Sequence, residues 1–353
     1  MTNNIFTSLM RLCVVFVVVS VAHARTVQHP LLVISLDGFR FDYTSLARTP
    51  VLDNLRKNGA SFDFMQPVFP TKTFPAHHSM ATGLYPDTHG IVGNYMFDAS
   101  TNKHFSPRHM SDDIWWREGE PIWITARRQG LKTGVCFWLS GEQEFAGGLT
   151  ADLNLPFNRS VNKHQQIDAV VTWLTRDHAD LVLLYFNEPD HTAHATGSAA
   201  TSQSTRDAVE HVDKLIGHLF RKLNAAGMRN QVNIVVVSDH GMTEVSLEER
   251  VIELHDVISN DIVQDISDEG PLVNILPREG HVDEVFNQLK QLEKREPHMR
   301  VYHKRDLPVH LHFNSHPRIH PIVILAEEAW MVVKVNNKIR KHTRSTRQGR
   351  CSR

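Results

Sequence analysis

Four continuous apolar runs constrain the fold of this chain more than any other feature of its sequence. The runs cover residues 31–36, 132–138, 180–186 and 232–238. Continuous rather than alternating hydrophobicity predicts strands that are buried on both faces, as in a parallel sheet covered by helices. Segments with helical spacing or helix-stop residues separate the runs, at 49–59, 121–129, 161–176 and 201–226. This alternation predicts an α/β fold in one domain, with later strands at 272–276 and 319–325.

Three of these runs end in acidic residues or histidines. Asp37 follows the first run, Asp190 and His194 follow the third, and Asp239 and His240 follow the fourth. The carboxyl ends of parallel strands meet at one edge of a sheet, so side chains that are far apart in sequence can converge there. We therefore expect these five side chains to lie close together.

Carboxylate oxygen and imidazole nitrogen together form a ligand set that suits zinc. Five such groups exceed the need of one tetrahedral ion, and paired metals are a recurring device for cleaving phosphate esters. Each acid also has an ordinary structural explanation. Asp37 and Asp239 could form turns after their strands, and Asp190 could cap a helix. Their shared position after three separate strands favours a metal site.

A second feature is the stretch 68–83, which contains Thr73 between two prolines. Pro75 suits a first helical turn, and residues 76–82 read as a short helix that ends at Gly83. Thr73 would then lie at a helix N-terminus, where free N–H groups and the helix dipole favour a phosphate. A threonine hydroxyl becomes a useful nucleophile when a metal or a base activates it. The alternative is a turn with an N-cap threonine.

The segment after this helix, 84–94, is rich in turn formers and is predicted to be an ordered loop. Asn94 could donate its amide to a phosphate oxygen or simply brace the loop. Phe74 could stack against a base or belong to the core. Residues 99–120 are polar and contain two tryptophans, and we expect them to form a surface loop.

Composition and the N-terminus set the class of protein and its compartment. The 353 residues carry a formal net charge of −1, which argues against nucleic acid as the main partner, and 23 histidines favour metal chemistry. Residues 1–24 read as a signal peptide, with an uncleaved anchor as the alternative. The sequon Asn158-Arg159-Ser160 predicts a glycosylation site and fits secretion. Cys136 lies in an apolar run and is expected to be buried. No second membrane span is predicted, so we expect a secreted product.

Several motifs together resemble the ectonucleotide pyrophosphatase/phosphodiesterase family, in the family's order and spacing from about residue 30 to about residue 338. The segments are 36–40 (LDGFR), 70–75 (PTKTFP), 82–86 (TGLYP), 89–94 (HGIVGN), 188–190 (EPD) with His194, and 238–242 (SDHGM). The match is to the short, single-domain members. The resemblance implies an alkaline-phosphatase-like α/β fold with a mostly parallel sheet flanked by helices.

The resemblance also implies roles for single residues. Thr73 would be the nucleophile, Asn94 the donor to the phosphate oxygen, and Phe74 would lie against the nucleotide. One zinc would be held by Asp37, Thr73, Asp239 and His240, and a second by Asp190 and His194. The implied reaction is attack of Thr73 on a nucleotide phosphodiester or pyrophosphate. A threonyl-nucleotide would form, and water would release a nucleoside 5′-monophosphate.

One departure from the family concerns the second zinc. Family members carry a further zinc-ligating histidine in a Gly-x-His-Gly-Tyr-Asp-like motif, whereas His342 has neither glycine nor aspartate around it. We therefore expect the second ion to keep only two protein ligands and to be held weakly. The domain boundaries that follow are a catalytic domain at 25–338, lacking its C-terminal part, and a basic disordered tail at 339–353, as in a truncated product.

Two functions remain open from the sequence. The first is a secreted zinc-dependent nucleotide phosphodiesterase/pyrophosphatase. The second is a catalytically impaired protein that binds a nucleotide or another partner on the same scaffold. A sulfatase is disfavoured because no cysteine or serine stands where the nucleophile is expected, whereas residue chemistry alone leaves a phosphomonoesterase open.

Overall fold

The computed structural model describes residues 29–145, 147–196, 202–246 and 248–334. The predicted signal peptide, the basic tail and His342 lie outside the described residues. The strands are β1 (Leu31–Leu36), β2 (Met96–Asp98), β3 (Lys103–Phe105), β4 (Thr133–Cys136), β5 (Leu153–Leu155), β6 (Leu181–Phe186), β7 (Asn233–Val237), β8 (Val251–Glu253), β9 (Val263–Ser267), β10 (Leu272–Pro277), β11 (Met299–His303), β12 (Ile322–Ala326) and β13 (Met331–Val333). The helices are α1 (Tyr43–Leu46), α2 (Pro50–Asn58), α3 (Thr73–Thr82), α4 (Pro86–His89), α5 (Ile122–Arg128), α6 (Lys163–Thr175), α7 (Asp190–Thr196), α8 (Gln203–Ala225) and α9 (Val282–Arg295).

A five-stranded parallel sheet forms the centre of the molecule, in the order β5-β4-β6-β1-β7. Strand β1 pairs with β6 on one side and β7 on the other, and its side chains Leu32 and Ile34 are fully buried. The four strands expected from the apolar runs are all present in this sheet. Its order places the carboxyl ends of β6, β1 and β7 next to one another.

Helices cover the parallel sheet, and α8 is the longest of those described. It buries an apolar face that includes Val212, Ile216 and Leu219, and it contacts α1, α2, α6 and α7. The Asp213 carboxylate of α8 accepts the backbone N–H groups of Val51 and Leu52, which begin α2. The first N–H groups of a helix have no partner within it, so this buried carboxylate fixes the start of α2 against α8.

A second, antiparallel sheet of order β11-β12-β10-β9 has a core of its own with α9. Two strands were expected from the late apolar runs, and they exist as β10 and β12. They belong to this sheet, however, and not to the parallel one. Hydrophobicity located these strands, but it did not indicate which sheet they join.

The expectation of a surface loop at 99–120 is wrong. Strand β3 and a 3-10 turn (Asp113–Trp115) lie in this segment, and Trp115 is only 1% exposed. Trp116 is also buried, and its indole N–H donates to the carbonyl oxygen of Met110 at 2.8 Å. A buried indole N–H needs a hydrogen-bond partner of this kind. The rings of Trp115 and Trp116 both pack against Phe105 in the core. The segment 84–94 is mostly loop, as expected, but it includes the short helix α4.

Strand β7 differs from the buried strand that its sequence indicates. It pairs with β1 alone among the described strands, and Val235 is 46% exposed. Cys136, by contrast, is buried and free, as expected. Among the residues described, no helix is both long and apolar enough to span a bilayer.

Candidate metal and nucleophile site

The ends of β1 and β6 bring Asp37 and Asp190 together. The Asp37 N–H donates to the carbonyl oxygen of Phe186 at 2.9 Å, and the Asp190 N–H donates to the carbonyl oxygen of Asp37 at 3.0 Å. Gly38 has a φ of +66°, and a Cβ at this position would lie 2.9 Å from the Cβ of Asp190. Only glycine therefore permits both this turn and this close approach.

Hydrogen bonds also fix the end of β7 against the end of β1. One Asp239 carboxylate oxygen, Oδ1, accepts the N–H groups of Gly38 at 3.1 Å and His240 at 2.9 Å. The Ser238 hydroxyl accepts the Phe39 N–H at 3.0 Å and donates to the carbonyl oxygen of His240 at 2.8 Å. These contacts join two strands that are about 200 residues apart in the sequence.

Four side chains meet at this edge of the sheet, and we call them the nucleophile half: Asp37, Thr73, Asp239 and His240. His240 Nε2 lies 3.3 Å from Thr73 Oγ1, 3.4 Å from Asp37 Oδ1 and 3.3 Å from Asp239 Oδ2. His240 Nδ1 lies 2.9 Å from the carbonyl oxygen of Gly241, which can only accept. Nδ1 therefore carries the proton, and in the neutral ring the lone pair of Nε2 faces the two carboxylates.

The donor atoms of this cluster fit a cation. Asp37 Oδ1, Asp190 Oδ1 and Asp239 Oδ2 are buried and accept no hydrogen bond, although imidazole nitrogens lie nearby. Buried acceptors without a donor are costly, and a lone pair facing carboxylates is repulsive. One ligand atom each from Asp37, Asp190 and His240 lies within 4.8 Å of the others. A zinc ion among these oxygen and nitrogen atoms would satisfy all of them.

The charges of the cluster lead to the same conclusion. Burial raises the pKa of Asp37 well above its usual value, and the carboxylates of Asp239 and Asp190 raise it further. Burial also acts to raise the pKa of Asp239, but His240 and His77 outweigh it and hold that pKa below its usual value. Three carboxylates this close repel one another unless a positive charge lies between them.

The predicted ligands of the second zinc, Asp190 and His194, form what we call the outer half. They lie at positions i and i+4 of α7, and His194 Nε2 is 3.2 Å from Asp190 Oδ1. The neighbouring Asp190 carboxylate raises the pKa of His194, although the His194 side chain is 71% exposed. Among the described residues the outer half has these two ligands, and Asp190 connects it to the nucleophile half.

Thr73 lies at a helix N-terminus, as the sequence predicted, although α3 begins at Thr73 itself and not at residue 76; Gly83 ends that helix in a left-handed conformation. Helix α3 therefore directs its N-terminus, with its positive dipole end, at the cluster. Behind Thr73, His77 Nδ1 donates to the Thr73 carbonyl oxygen at 2.8 Å and lies 3.4 Å from Asp239 Oδ2. The helix start and the Asp239 carboxylate thus share one buried imidazole.

Asn94 and Phe74 lie beside Thr73, and a hydrogen bond joins them. Asn94 Oδ1 accepts the Phe74 N–H at 2.9 Å. Because a backbone N–H can only donate, this bond identifies the side-chain oxygen and leaves the Asn94 NH₂ group for another acceptor. The ring of Phe74 is buried against Phe105, at 5.3 Å between centroids, which supports the core alternative for this side chain. Its contact with a base stays a prediction.

Three buried side chains, those of Tyr185, His77 and Ser35, support the cluster and were not among the sequence-predicted site residues. The Tyr185 hydroxyl donates to Asp37 Oδ2, and Ser35 Oγ lies 2.9 Å from His77 Nε2. A tyrosine in an otherwise apolar buried strand needs a partner for its hydroxyl, and that signal could have pointed to Tyr185. His77 lies one helical turn after Thr73, which could have pointed to the same side of the helix.

The predicted glycosylation site lies on the surface. Asn158 is exposed, and its Oδ1 accepts the N–H of Ser160 at 2.9 Å and the Ser160 hydroxyl at 2.7 Å. The sequon is therefore a tight turn, away from the metal cluster in sequence and accessible to solvent. Its modification stays a prediction.

Comparison with known proteins adds an independent line of support. The chain is 35% identical to bis(5′-adenosyl)-triphosphatase enpp4 of Xenopus laevis over 308 residues, which are 86% of this chain and 66% of the relative. It is 36% identical to human ectonucleotide pyrophosphatase/phosphodiesterase family member 5, over 87% of this chain and 63% of the relative. The chain therefore spans about two thirds of the length of these curated relatives.

A solved structure extends the similarity to the fold. An inactive threonine-to-alanine variant of murine ectonucleotide pyrophosphatase/phosphodiesterase 5, in complex with AMP, matches with a TM-score of 0.82 and 36% identity. The match covers 88% of this chain and 81% of that structure, and it supports the alkaline-phosphatase-like fold. The family model for type I phosphodiesterase / nucleotide pyrophosphatase matches residues 31–349. The chain belongs to the type I phosphodiesterase / nucleotide pyrophosphatase family.

Proposed function

We propose that this chain is a secreted, zinc-dependent nucleotide phosphodiesterase/pyrophosphatase that uses Thr73 as its nucleophile. The observation that carries the proposal is the position of the Thr73 hydroxyl. It lies 3.3 Å from His240 Nε2, beside carboxylate oxygens that are buried and accept no hydrogen bond. A hydroxyl at a helix N-terminus next to a cation site is an arrangement suited to attack on a phosphate ester.

Each residue of the cluster has a role in the proposed reaction. Asp37, Asp239 and His240 would hold one zinc with Thr73, and Asp190 and His194 would contribute to a second. Zinc bound there lowers the pKa of a coordinated hydroxyl and stabilises charge on phosphoryl oxygens. Thr73 Oγ1 would release its proton to solvent and form a bond to phosphorus, while the bond to the leaving oxygen breaks and the leaving group departs with that electron pair. Water then releases a nucleoside 5′-monophosphate and restores the hydroxyl.

Asn94 would stabilise the charge that develops on the phosphate in this step. Its side-chain oxygen is occupied by the Phe74 N–H, so its NH₂ group is the part that can donate. A donor that is fixed before the reaction stabilises a developing charge at no cost of reorganisation. The N-terminus of α3, which starts at Thr73, acts in the same direction.

The relatives support both the substrate class and the nucleophile. One solved relative binds AMP, which is a nucleoside 5′-monophosphate, and is inactive after a threonine was replaced by alanine. Another is named for cleaving a bis-adenosyl triphosphate. A nucleotide phosphodiester or pyrophosphate is therefore the substrate we propose here. Secretion is supported by the signal-like residues 1–24 and by the exposed sequon at Asn158.

One observation favours a second candidate, a catalytically impaired protein that binds nucleotides or another partner. The outer half has two ligands among the described residues, and His194 is mostly exposed. Two ligands hold zinc less firmly than three. A chain with a complete nucleophile half and a weak outer half could bind a nucleotide without turning it over quickly.

Hydrolysis of a chromogenic nucleoside 5′-monophosphate ester tests the proposal, with wild type, Thr73→Ala and Thr73→Ser purified side by side. We expect wild-type turnover, a loss of about 10⁴-fold or more in Thr73→Ala, and partial activity in Thr73→Ser, because serine keeps the hydroxyl. Equal rates for wild type and Thr73→Ala would contradict the proposed nucleophile. AMP binding without turnover would favour the second candidate.

A further inference from the structure

Asp268, in the turn between β9 and β10, connects the second sheet to the nucleophile segment. Its backbone has a φ of +64°, a left-handed conformation that asparagine and aspartate tolerate better than most residues. The residue is 3% exposed, although it lies in a turn. A carboxylate buried in this way requires partners, and both of its partner segments belong to the parallel-sheet part of the molecule.

The first partner is Lys72, which precedes the nucleophile. Its ammonium lies 2.9 Å from Asp268 Oδ2 and donates to the carbonyl oxygen of Asp268 at 2.9 Å. Lys72 is also the N-cap residue of α3, the helix that begins with Thr73. Beside a phosphate-binding helix start, a lysine is an obvious candidate to bind the phosphate. Here its charge is compensated within the protein by a single residue of the second sheet.

The second partner is the loop that carries Asn94. Asp268 Oδ1 accepts the Tyr95 N–H at 3.2 Å. The backbone approaches the carboxylate so closely at Gly93 that a Cβ there would lie 2.5 Å from Asp268 Oδ2. Glycine is thus required on one side of Asn94, and the hydrogen bond from Tyr95 fixes the other side.

These contacts close a ring around the proposed active site. Asp268 holds Lys72 and the Asn94 loop, and Asn94 in turn accepts the N–H of Phe74, the residue after the nucleophile. We propose that Asp268 is a positioning residue, which sets the distance between Asn94 and Thr73 and makes the second sheet part of the catalytic apparatus. The inference rests on the proposed function, because it assigns Asp268 to the same reaction.

The test variant is Asp268→Asn, which keeps the size of the side chain and an acceptor for Tyr95 but removes the charge that holds Lys72. We expect kcat for the chromogenic ester to fall about tenfold to a hundredfold while KM changes less than about threefold, because a misplaced donor acts mainly on the transition state. The double variant Lys72→Met/Asp268→Asn should lose no more kcat than the worse of the two single variants, Lys72→Met and Asp268→Asn, since both substitutions remove the same ion pair.

Asp213→Asn is the matched control, because Asp213 is also a buried carboxylate that accepts backbone N–H groups, those of Val51 and Leu52 in the first turn of α2. Both variants remove the charge of a buried carboxylate that accepts backbone N–H groups, and both are expected to lower the melting temperature. Only Asp268→Asn should lower kcat. A similar loss of kcat in both variants, or wild-type kcat in Asp268→Asn, would overturn the positioning role.

Hydrogen exchange separates a failure of this inference from a failure of the proposed function. Asp268→Asn should speed amide exchange about tenfold in the peptide that spans Gly93, Asn94 and Tyr95, and Asp213→Asn should not. Unchanged exchange would overturn the inference whatever the activity is. A third outcome is faster exchange in Asp268→Asn together with a wild type that shows no Thr73-dependent turnover. Asp268 would then still hold the Asn94 loop. The proposed function would be overturned, and with it the catalytic part of the inference.

Discussion

The two halves of the candidate metal site are built in different ways. The nucleophile half draws its side chains from three separate places, the ends of β1 and β7 and the start of α3, and buried hydrogen bonds hold each of them. The outer half takes both residues from one turn of α7, and His194 is mostly exposed. Long-range contacts give the first half a fixed geometry, whereas the second depends on one local pair. We therefore expect the nucleophile half to be the firmer metal site.

Removing one histidine from each half is the sharpest test of this difference. We expect His240→Ala to reduce hydrolysis about a thousandfold, because metal stabilisation of the transition state is worth several kcal/mol. His194→Ala should cost only about tenfold, since a weakly held ligand contributes less. The measurements are kcat/KM for the chromogenic ester and zinc content of each purified variant. Equal losses in the two variants would show that the two halves contribute equally to metal binding and hydrolysis.

Tyr185 tests whether the supporting contacts make the nucleophile half firm. Tyr185→Phe keeps the ring and removes the hydroxyl that donates to Asp37. We expect zinc affinity to fall about tenfold, the lower end of the range for residues that orient metal ligands. Tyr302→Phe, in the second sheet, is the matched control and should leave zinc affinity unchanged. Zinc titration of the metal-free chain supplies the measurement, and unaltered affinity in Tyr185→Phe would argue against this role.

Acid should also affect the nucleophile half, through the helix that carries Thr73. Burial lowers the pKa of His78 on α3 from 6.5 to about 3, so the folded state keeps this ring neutral. Below pH 6.5 the unfolded chain binds a proton that the folded chain does not. The neutral His78 ring therefore contributes fully to the free energy of unfolding above pH 6.5. This contribution is lost as the pH falls toward 3, at up to about 1.4 kcal/mol per pH unit.

Melting temperatures at pH 7 and pH 5 check this prediction, which is the smallest of the three. The wild type should lose more stability over this interval than His78→Phe, in which the titrating group is gone. His191→Phe, on the exposed surface of α7, should behave as the wild type does. Parallel pH dependence in all three proteins would show that His78 is not the source.

Part of this architecture is readable in the sequence and part is not. Asp37, Asp190 and Asp239 could be predicted to converge because each follows an apolar run, and parallel strands place their ends together. Thr73 could be placed at a helix start because Pro75 and Gly83 mark the limits of that helix. Both signals are local, and each depends on a rule that holds in most proteins.

The remainder depends on contacts between distant segments. The roles of His77 and Asp268 require knowing which backbone groups lie against them, and spacing along the chain does not contain that information. The segment with Trp115 was misassigned because polar residues surround its aromatic rings in sequence, although the rings pack in the core. The pairing of β10 and β12 in a separate sheet is likewise a tertiary choice.

An anomalous difference map tests most directly whether the nucleophile half is the firmer metal site, measured at the zinc edge on crystals of the chain grown with zinc. We expect a strong peak among Asp37 Oδ1, Asp239 Oδ2, His240 Nε2 and the Thr73 hydroxyl, and a weaker or absent peak at Asp190 and His194. A map without a peak in the nucleophile half would contradict a zinc site at Asp37, Asp239 and His240. So would a peak found only at the outer half.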